Sequence, residues 1–301
     1  MIAGRGLGYV CVAFVLALAV SAAQAQESDV KQLAAQGQEA RAKGEWDKLN
    51  TLCDQILSIQ NLSDADRGAA VRNKLTALKG MDPSLEKAMA FYEDAIKNQK
   101  LDPMWQLILM VDAAQITCGN PATLDKGLAI ADDALGLVGD MSGGDASKRD
   151  PFLWSRWLLV TGAKADALRG LKKDKEFAEL SYNALKEMDG AEYAADITLA
   201  GFLKGLMILS ATGDKKRCLE GAAFAVKIAT RSKNVKSVRY LLERLQLEGF
   251  DKVASGEDKA QYPTEIAALR TALLAVKDVP FEDKEAGKAV VDMATAYAEK
   301  F

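Results

Sequence analysis

The sequence contains no histidine, only four cysteines and only six prolines among its 301 residues. Histidine is the commonest general base and the commonest metal ligand in proteins. Its absence excludes Ser-His and Cys-His nucleophile pairs and the H-E-x-x-H zinc site. Walker A, G-x-S-x-G and EF-hand motifs are also missing. We therefore expect a non-enzymatic chain with no catalytic residue, no metal site and no cofactor.

The cysteines are few and have apolar neighbours in the sequence, which does not indicate a disulfide framework. Cys11 lies in the first 25 residues, which leaves Cys53, Cys118 and Cys218 in the rest of the chain. An odd number of cysteines in an exported chain of this size does not indicate paired bridges. Their apolar neighbours favour small buried hydrophobic residues, although one disulfide with one free thiol stays open.

The first 25 residues have the pattern of a secretory signal peptide. Arg5 precedes an apolar run from Tyr9 to Val20, and Ala23 and Ala25 stand where a signal peptidase reads small residues. The run is too short to span a bilayer comfortably, so cleavage after Ala25 is favoured over a membrane anchor. The sequence thus predicts an exported mature chain without stable membrane insertion. We expect it in the periplasm of a Gram-negative bacterium, or secreted otherwise.

The remainder of the chain has the composition and periodicity of α-helices. Alanine, leucine, lysine and glutamate dominate, and apolar residues recur at i, i+3, i+4 and i+7. Most prolines follow a residue that can cap a helix, which predicts helix starts. These pairs are Asp82-Pro83, Asp102-Pro103, Asn120-Pro121 and Asp150-Pro151. We predict an all-α fold of about a dozen helices joined by short links.

The predicted helices recur in pairs with a period close to forty residues. The second helix of each pair carries an apolar triad spaced i, i+4, i+7, and the first members lie 39, 39, 51, 40 and 50 residues apart. The two long steps contain insertions at 140–147 and 254–258. The triads are Leu49/Cys53/Ile56, Ala88/Tyr92/Ala95, Gly127/Ala131/Ala134, Ala178/Tyr182/Leu185, Cys218/Ala222/Ala225 and Ala268/Ala272/Ala275. The alternative is a plain helical bundle whose apolar stripes imitate a repeat.

The first predicted pair carries the resemblance to a known family. Its residues are Leu33, Gly37 and Ala40, the turn Gly44-Glu45-Trp46, and then the triad from Leu49. On these positions the chain resembles the tetratricopeptide repeat family over most of residues 29–278. The period is longer than that family's repeat of about 34 residues, so a HEAT-like or other divergent α-solenoid stays open. The resemblance implies a right-handed solenoid of about six helix-turn-helix repeats over 26–280, followed by a capping helix over 281–301.

The resemblance also implies where a partner would bind. In such solenoids the first helix of each pair lines the concave surface, which would contain Leu109, Asp112, Ile116, Leu203, Met207, Lys236 and Arg239. The sequence therefore predicts a protein or peptide partner bound on this face. Two alternatives stay open, namely a binding protein for an apolar or anionic envelope ligand (lipid or glycan) and an all-α glycan-processing enzyme.

One segment departs strongly from the charge of the whole chain. Residues 215–244 hold nine cations and two acids, while the formal net charge of the chain is −3. That overall balance argues against a nucleic-acid partner. The cations predict a basic patch that attracts an anionic partner, with a merely solvated helix face as the alternative. We place this patch at Lys215, Lys216, Arg217, Lys227, Arg231 and Lys233.

Overall fold

A computed structural model describes residues 27–193, 199–253, 255–256 and 258–301. The described residues form helices, turns and links, with no strand among them, which confirms the all-α prediction. None of the described helices is both long enough and apolar enough to cross a membrane. The predicted signal peptide, residues 1–25, lies outside the described residues.

The chain divides into two compact units, residues 1–109 and 110–301. The first unit contains α1, described over 27–43, followed by α2 (Trp46–Leu57), α3 (Asp64–Met81), α4 (Glu86–Asn98) and the start of α5 (Pro103–Cys118). α3 packs against both α2 and α4. A hydrophobic core cluster in this unit joins Leu49, Leu52 and Cys53 of α2 to Ala77 of α3.

The second unit contains the remainder of α5 and ten further helices. These are α6 (Leu124–Met141), α7 (Pro151–Gly170), α8 (Asp174–Gly190), α9 (Leu199–Ala211), α10 (Lys215–Arg231), α11 (Val235–Glu248), α12 (Phe250–Val253), α13 (Asp258–Gln261), α14 (Pro263–Leu274) and α15 (Lys284–Ala298). α6 packs against α7 and α8 against α9, while α10 contacts α8, α9 and α14. α15 falls within the predicted capping segment and packs against α11 and α14.

Three of the four predicted capping residues accept a backbone N–H at the start of a helical segment. Asp102 accepts the N–H of Trp105 at 2.9 Å, and Asp150 accepts that of Leu153 at 2.8 Å. Asn120 does the same for Ala122 but begins a 3₁₀ turn, Pro121–Thr123, which leads into α6.

The capping prediction at Asp82-Pro83 is wrong. Asp82 ends α3, and its carboxylate accepts the N–H of Ser84 at 2.9 Å. A short acidic side chain can form such a turn with the backbone two residues ahead, which competes with capping a helix. α4 begins only at Glu86, after Leu85 adopts a left-handed φ of 65°.

Five of the six predicted triads are fully buried, and the sixth is out of register. In α14 and the 3₁₀ turn that follows it, Ala268 and Ala275 are exposed, and the buried residues are Ile266, Leu269, Ala272, Leu273 and Val276. Larger side chains near the alanines bury more apolar area and so decide which face turns inward. In α8 the residues one position earlier, Phe177, Ser181 and Ala184, are buried as well, because this helix is buried over a broad face.

Two glycines set the spacing of the helices in the second unit. A Cβ atom on Gly205 of α9 would lie 2.5 Å from the Cβ of Ser181 and 3.1 Å from the carbonyl oxygen of Phe177, both in α8. A Cβ atom on Gly221 of α10 would lie 2.5 Å from Leu206 of α9. α9 can therefore pack closely against both neighbours only because these two positions lack side chains.

We expect Gly205→Ala to lower the free energy of unfolding by roughly 1–3 kcal/mol, because the added methyl group overpacks the contact between α8 and α9. The matched control is Gly162→Ala in α7, where a Cβ atom meets nothing within 4 Å. That change should raise the free energy of unfolding by roughly 0.5–1 kcal/mol through helix propensity. Urea unfolding followed by circular dichroism measures both, and equal effects of the two changes would contradict the close approach.

Candidate functional site

A cleft lies in the second unit where α7, α9 and α11 end and where α8 and α10 begin. It consists of two adjoining cavities of about 690 Å³ each, which share Asp174 and Ile208. We call the first the acidic half, which is lined by Asp166, Arg169, Gly170, Asp174, Phe177, Lys204, Ile208 and Glu248. We call the second the apolar half, which is lined by Asp174, Lys175, Ala178, Glu179, Ile208, Leu209, Ala211, Thr212, Asp214 and Arg217.

The helical repeat of α9 explains which of its residues reach the cleft. Lys204, Ile208 and Ala211 are spaced i, i+4 and i+7, so they share one helix face. Leu203 and Leu206 lie on another face and are fully buried. The chain then turns at Gly213, whose φ of 96° favours glycine, before α10 begins.

Arg217 connects the start of α10 to α8 at the edge of the apolar half. Its Nη1 and Nη2 donate to the two carboxylate oxygens of Glu179 at 2.7 and 2.9 Å, and its Nε donates to Asp214 at 2.6 Å. Such a bidentate pair fixes the guanidinium plane and strengthens both hydrogen bonds. The guanidinium carbon also lies 5.3 Å from the centre of the Tyr182 ring.

Arg217 keeps both neighbouring carboxylates ionised. Its hydrogen bonds lower the pKa of Glu179 below the ordinary value. Partial burial raises the pKa of Asp214, but hydrogen bonds from the side chain and backbone of Arg217 outweigh this effect and lower that pKa overall. A general acid must hold a proton near neutral pH, so the pair is better suited to positioning than to proton donation.

Most cations of the predicted basic patch form ion pairs with acidic residues of the same chain. Arg231 donates to Asp189 at 2.6 Å, and Lys227 lies 3.7 Å from the same carboxylate. Lys216 lies 3.7 Å from Glu265 of α14, and Arg217 is held as described above. Lys215 also has an interaction partner, whereas Lys233 lies exposed between α10 and α11. Attraction of an anionic partner to this segment stays a prediction.

The residues predicted for a concave face are distributed differently. Leu109 and Leu203 are buried in the core and cannot line an accessible surface. Asp112, Ile116 and Met207 are half-buried, while Lys236 and Arg239 are exposed, with Arg239 paired to Glu243 at 2.8 Å. Among all the predicted site residues, Arg217 is the one that lines the cleft.

One feature of the sequence could have identified some of the cleft residues that the sequence analysis did not predict. Lys204 is a charged residue in an otherwise apolar helix, and Ile208 follows it one turn later. That spacing indicates an accessible face on α9. Asp174 and Glu248 gave no such signal, because they come from the ends of two helices that are distant in the sequence.

The three described cysteines are buried free thiols, as predicted. Burial raises the pKa of Cys53 and of Cys118 to about 11 and that of Cys218 to about 12. A thiol with so high a pKa supplies almost no thiolate at neutral pH. Within the described part of the chain, no group of three or more cysteine, aspartate or glutamate side chains is arranged to hold a metal ion.

We expect the folded mature chain to react very slowly with a thiol reagent such as DTNB at pH 8, because all three thiols are buried and protonated. Unfolding in guanidinium without a reductant should release three reactive thiols per chain. A count of one after unfolding would instead indicate a disulfide.

Replacing Arg217 with methionine should lower the free energy of unfolding at pH 7 by on the order of 1 kcal/mol, a value limited by the partial exposure of the ion pairs. Glu179 and Asp214 have folded pKa values below their ordinary 4.5 and 3.8, so this contribution is present above those values. It should disappear as the pH falls through the lowered values of the folded state.

The matched control for this change is Arg239→Met. Arg239 and Glu243 form an ion pair within one helix with both side chains exposed, so its loss should cost less than about half a kcal/mol. Urea unfolding from pH 7 down to pH 3 measures both variants. An Arg217→Met effect that stayed constant over this range would contradict the ion-pair interpretation.

Comparison of the chain with protein-family models, with curated proteins and with solved structures finds no match. The resemblance to tetratricopeptide repeats therefore stays a prediction from the sequence. The cleft between the ends of α7 to α11 is the feature of the second unit from which a function is inferred.

Proposed function

We propose that the mature chain is an exported, non-catalytic helical-repeat protein that binds a protein or peptide partner, and that the partner occupies the cleft of the second unit. The observation that carries this proposal is the cleft itself, which has an apolar floor and charged edges. Peptide-binding grooves combine apolar anchors with a polar rim in this way.

The size and openness of the cleft favour a peptide over a small enclosed ligand. The two cavities of about 690 Å³ each share Asp174 and Ile208, and together they suit a chain of several residues better than a single compact molecule. Ile208 lies in both cavities and is only half-buried, so it offers apolar surface at the centre. The ionised state of Glu179 and Asp214 weighs against glycan hydrolysis, which needs a protonated carboxyl group.

A tetratricopeptide-like solenoid is our proposal for the arrangement of the helix pairs. In a solenoid each helix pair packs against the neighbouring pairs. Within the second unit, α10 contacts both α8 and α14, and each of these three is the predicted second helix of its pair, whereas α6, the predicted second helix of the third pair, packs against α7. The five buried triads support the same arrangement.

The proposal is tested with a displayed peptide library selected on the mature chain, residues 26–301. A tryptophan at Ala211, an exposed residue of the cleft wall, should fill the apolar half and weaken the selected peptides by roughly ten-fold or more. The matched control is Ala268→Trp on α14, which is equally exposed but outside the cleft, and it should leave the affinity unchanged.

Circular dichroism and urea unfolding first establish that both variants are folded. Selection of no peptide by the parent chain would overturn the proposed function. Peptides that bind the parent and both variants equally well would move the binding site away from the cleft.

A further inference from the structure

Resting on the proposed function, we infer that the bound peptide carries a lysine or arginine next to aliphatic side chains. The basic residue lies in the acidic half of the cleft, and the aliphatic residues lie in the apolar half. Some charges in the cleft already have a partner within the protein, and the others are open to a guest.

In the acidic half, two carboxylates remain unpaired. Asp166 is held by Arg169 of the same helix at 3.3 Å. The side-chain carboxylates of Asp174 and Glu248, however, make no hydrogen bond and no ion pair with any residue that the structure describes. Lys204 is the one unpaired cation among the described residues that line this half. The acidic half is thus left with an excess of negative charge.

In the apolar half, the charged side chains other than Asp174 are matched by charges within the protein and need no charged guest. Glu179 and Asp214 share Arg217, and Lys175 lies one helical turn before Glu179, where its positive charge further lowers the pKa of that carboxylate. These four charges balance one another, and the fifth charged residue of this half, Asp174, is the one that it shares with the acidic half. Ala211 and the half-buried Ile208 supply accessible apolar surface beside them, while Ala178 and Leu209 are buried. An uncharged aliphatic side chain fits this half at the lowest desolvation cost.

The position of Glu248 supports a cationic guest. It is the last residue of α11, where the helix dipole places partial negative charge, and no basic residue stands in that last turn. A carboxylate at this end is unfavourable to its own helix. A cation between Glu248 and Asp174 would relieve that cost, whereas an anion would increase it. Local choices that oppose the fold in this way are commonest at functional sites.

The test is a double-mutant cycle on the peptides obtained from the library. One binding partner is the parent chain or the double variant Asp174→Asn/Glu248→Gln. The other is a selected peptide with its basic residue, or the same peptide with glutamine in that place. Removal of the two carboxylates should weaken the basic peptide by about five-fold or more at low salt and leave the glutamine peptide almost unchanged. Added salt should reduce this difference.

The matched control is Asp292→Asn/Glu299→Gln, which removes two exposed carboxylates at α15, outside the cleft, and should not change either affinity. The inference is overturned if Ala211→Trp blocks the peptides but the selected sequences lack basic residues, or if the cycle gives no coupling. In that case the proposed function stands. If no peptide binds the parent chain, both the inference and the proposed function fail.

Discussion

The close packing of α9 against α8 and α10 is the constraint on which the cleft depends. Gly205 and Gly221 remove the side chains that would otherwise separate these helices. α9 is thereby held with Leu203 and Leu206 in the core, and the face that carries Ile208 is turned toward the cleft. The shape of the site is therefore a consequence of core packing, and a change of one methyl group in the core is transmitted to the cleft wall.

Ion pairs between neighbouring helices then decide the charge that the cleft presents. At one end of α8, Glu179 holds Arg217 of α10, and near the other end Asp189 holds Arg231. A sum of charges along residues 215–244 counts the cations of α10 but not the acids of α8 that neutralise them. The strongest charge feature of the sequence is thus largely internal to the fold, and the charge open to a partner comes from a few residues elsewhere.

The sequence predicted the features that depend on near neighbours. Helical periodicity, the caps at Asp102 and Asp150 and the buried cysteines all follow from residues within one or two turns. The sixth triad was wrong because alanines carry little apolar area, so a register built on Ala268 was outweighed by Leu269 and its neighbours. The cleft was mostly missed for a different reason, since five helix ends meet there and periodicity within a helix does not report which ends meet.

Glu248 is a residue for which the preference of its own helix and its place in the cleft differ. Helix propensity and dipole arguments applied to α11 alone favour a cation at its last residue, and Gly249 already ends the helix with a left-handed φ of 78°. Glu248 therefore contributes nothing to ending the helix, and no ion pair with a described residue accounts for its position. Glu248 lines the acidic half together with Asp174, and Lys204 is the one unpaired cation among the described residues there, so one negative charge is left for a basic guest to balance. The same local conflict that weakens α11 is what would make the cleft selective for a basic segment.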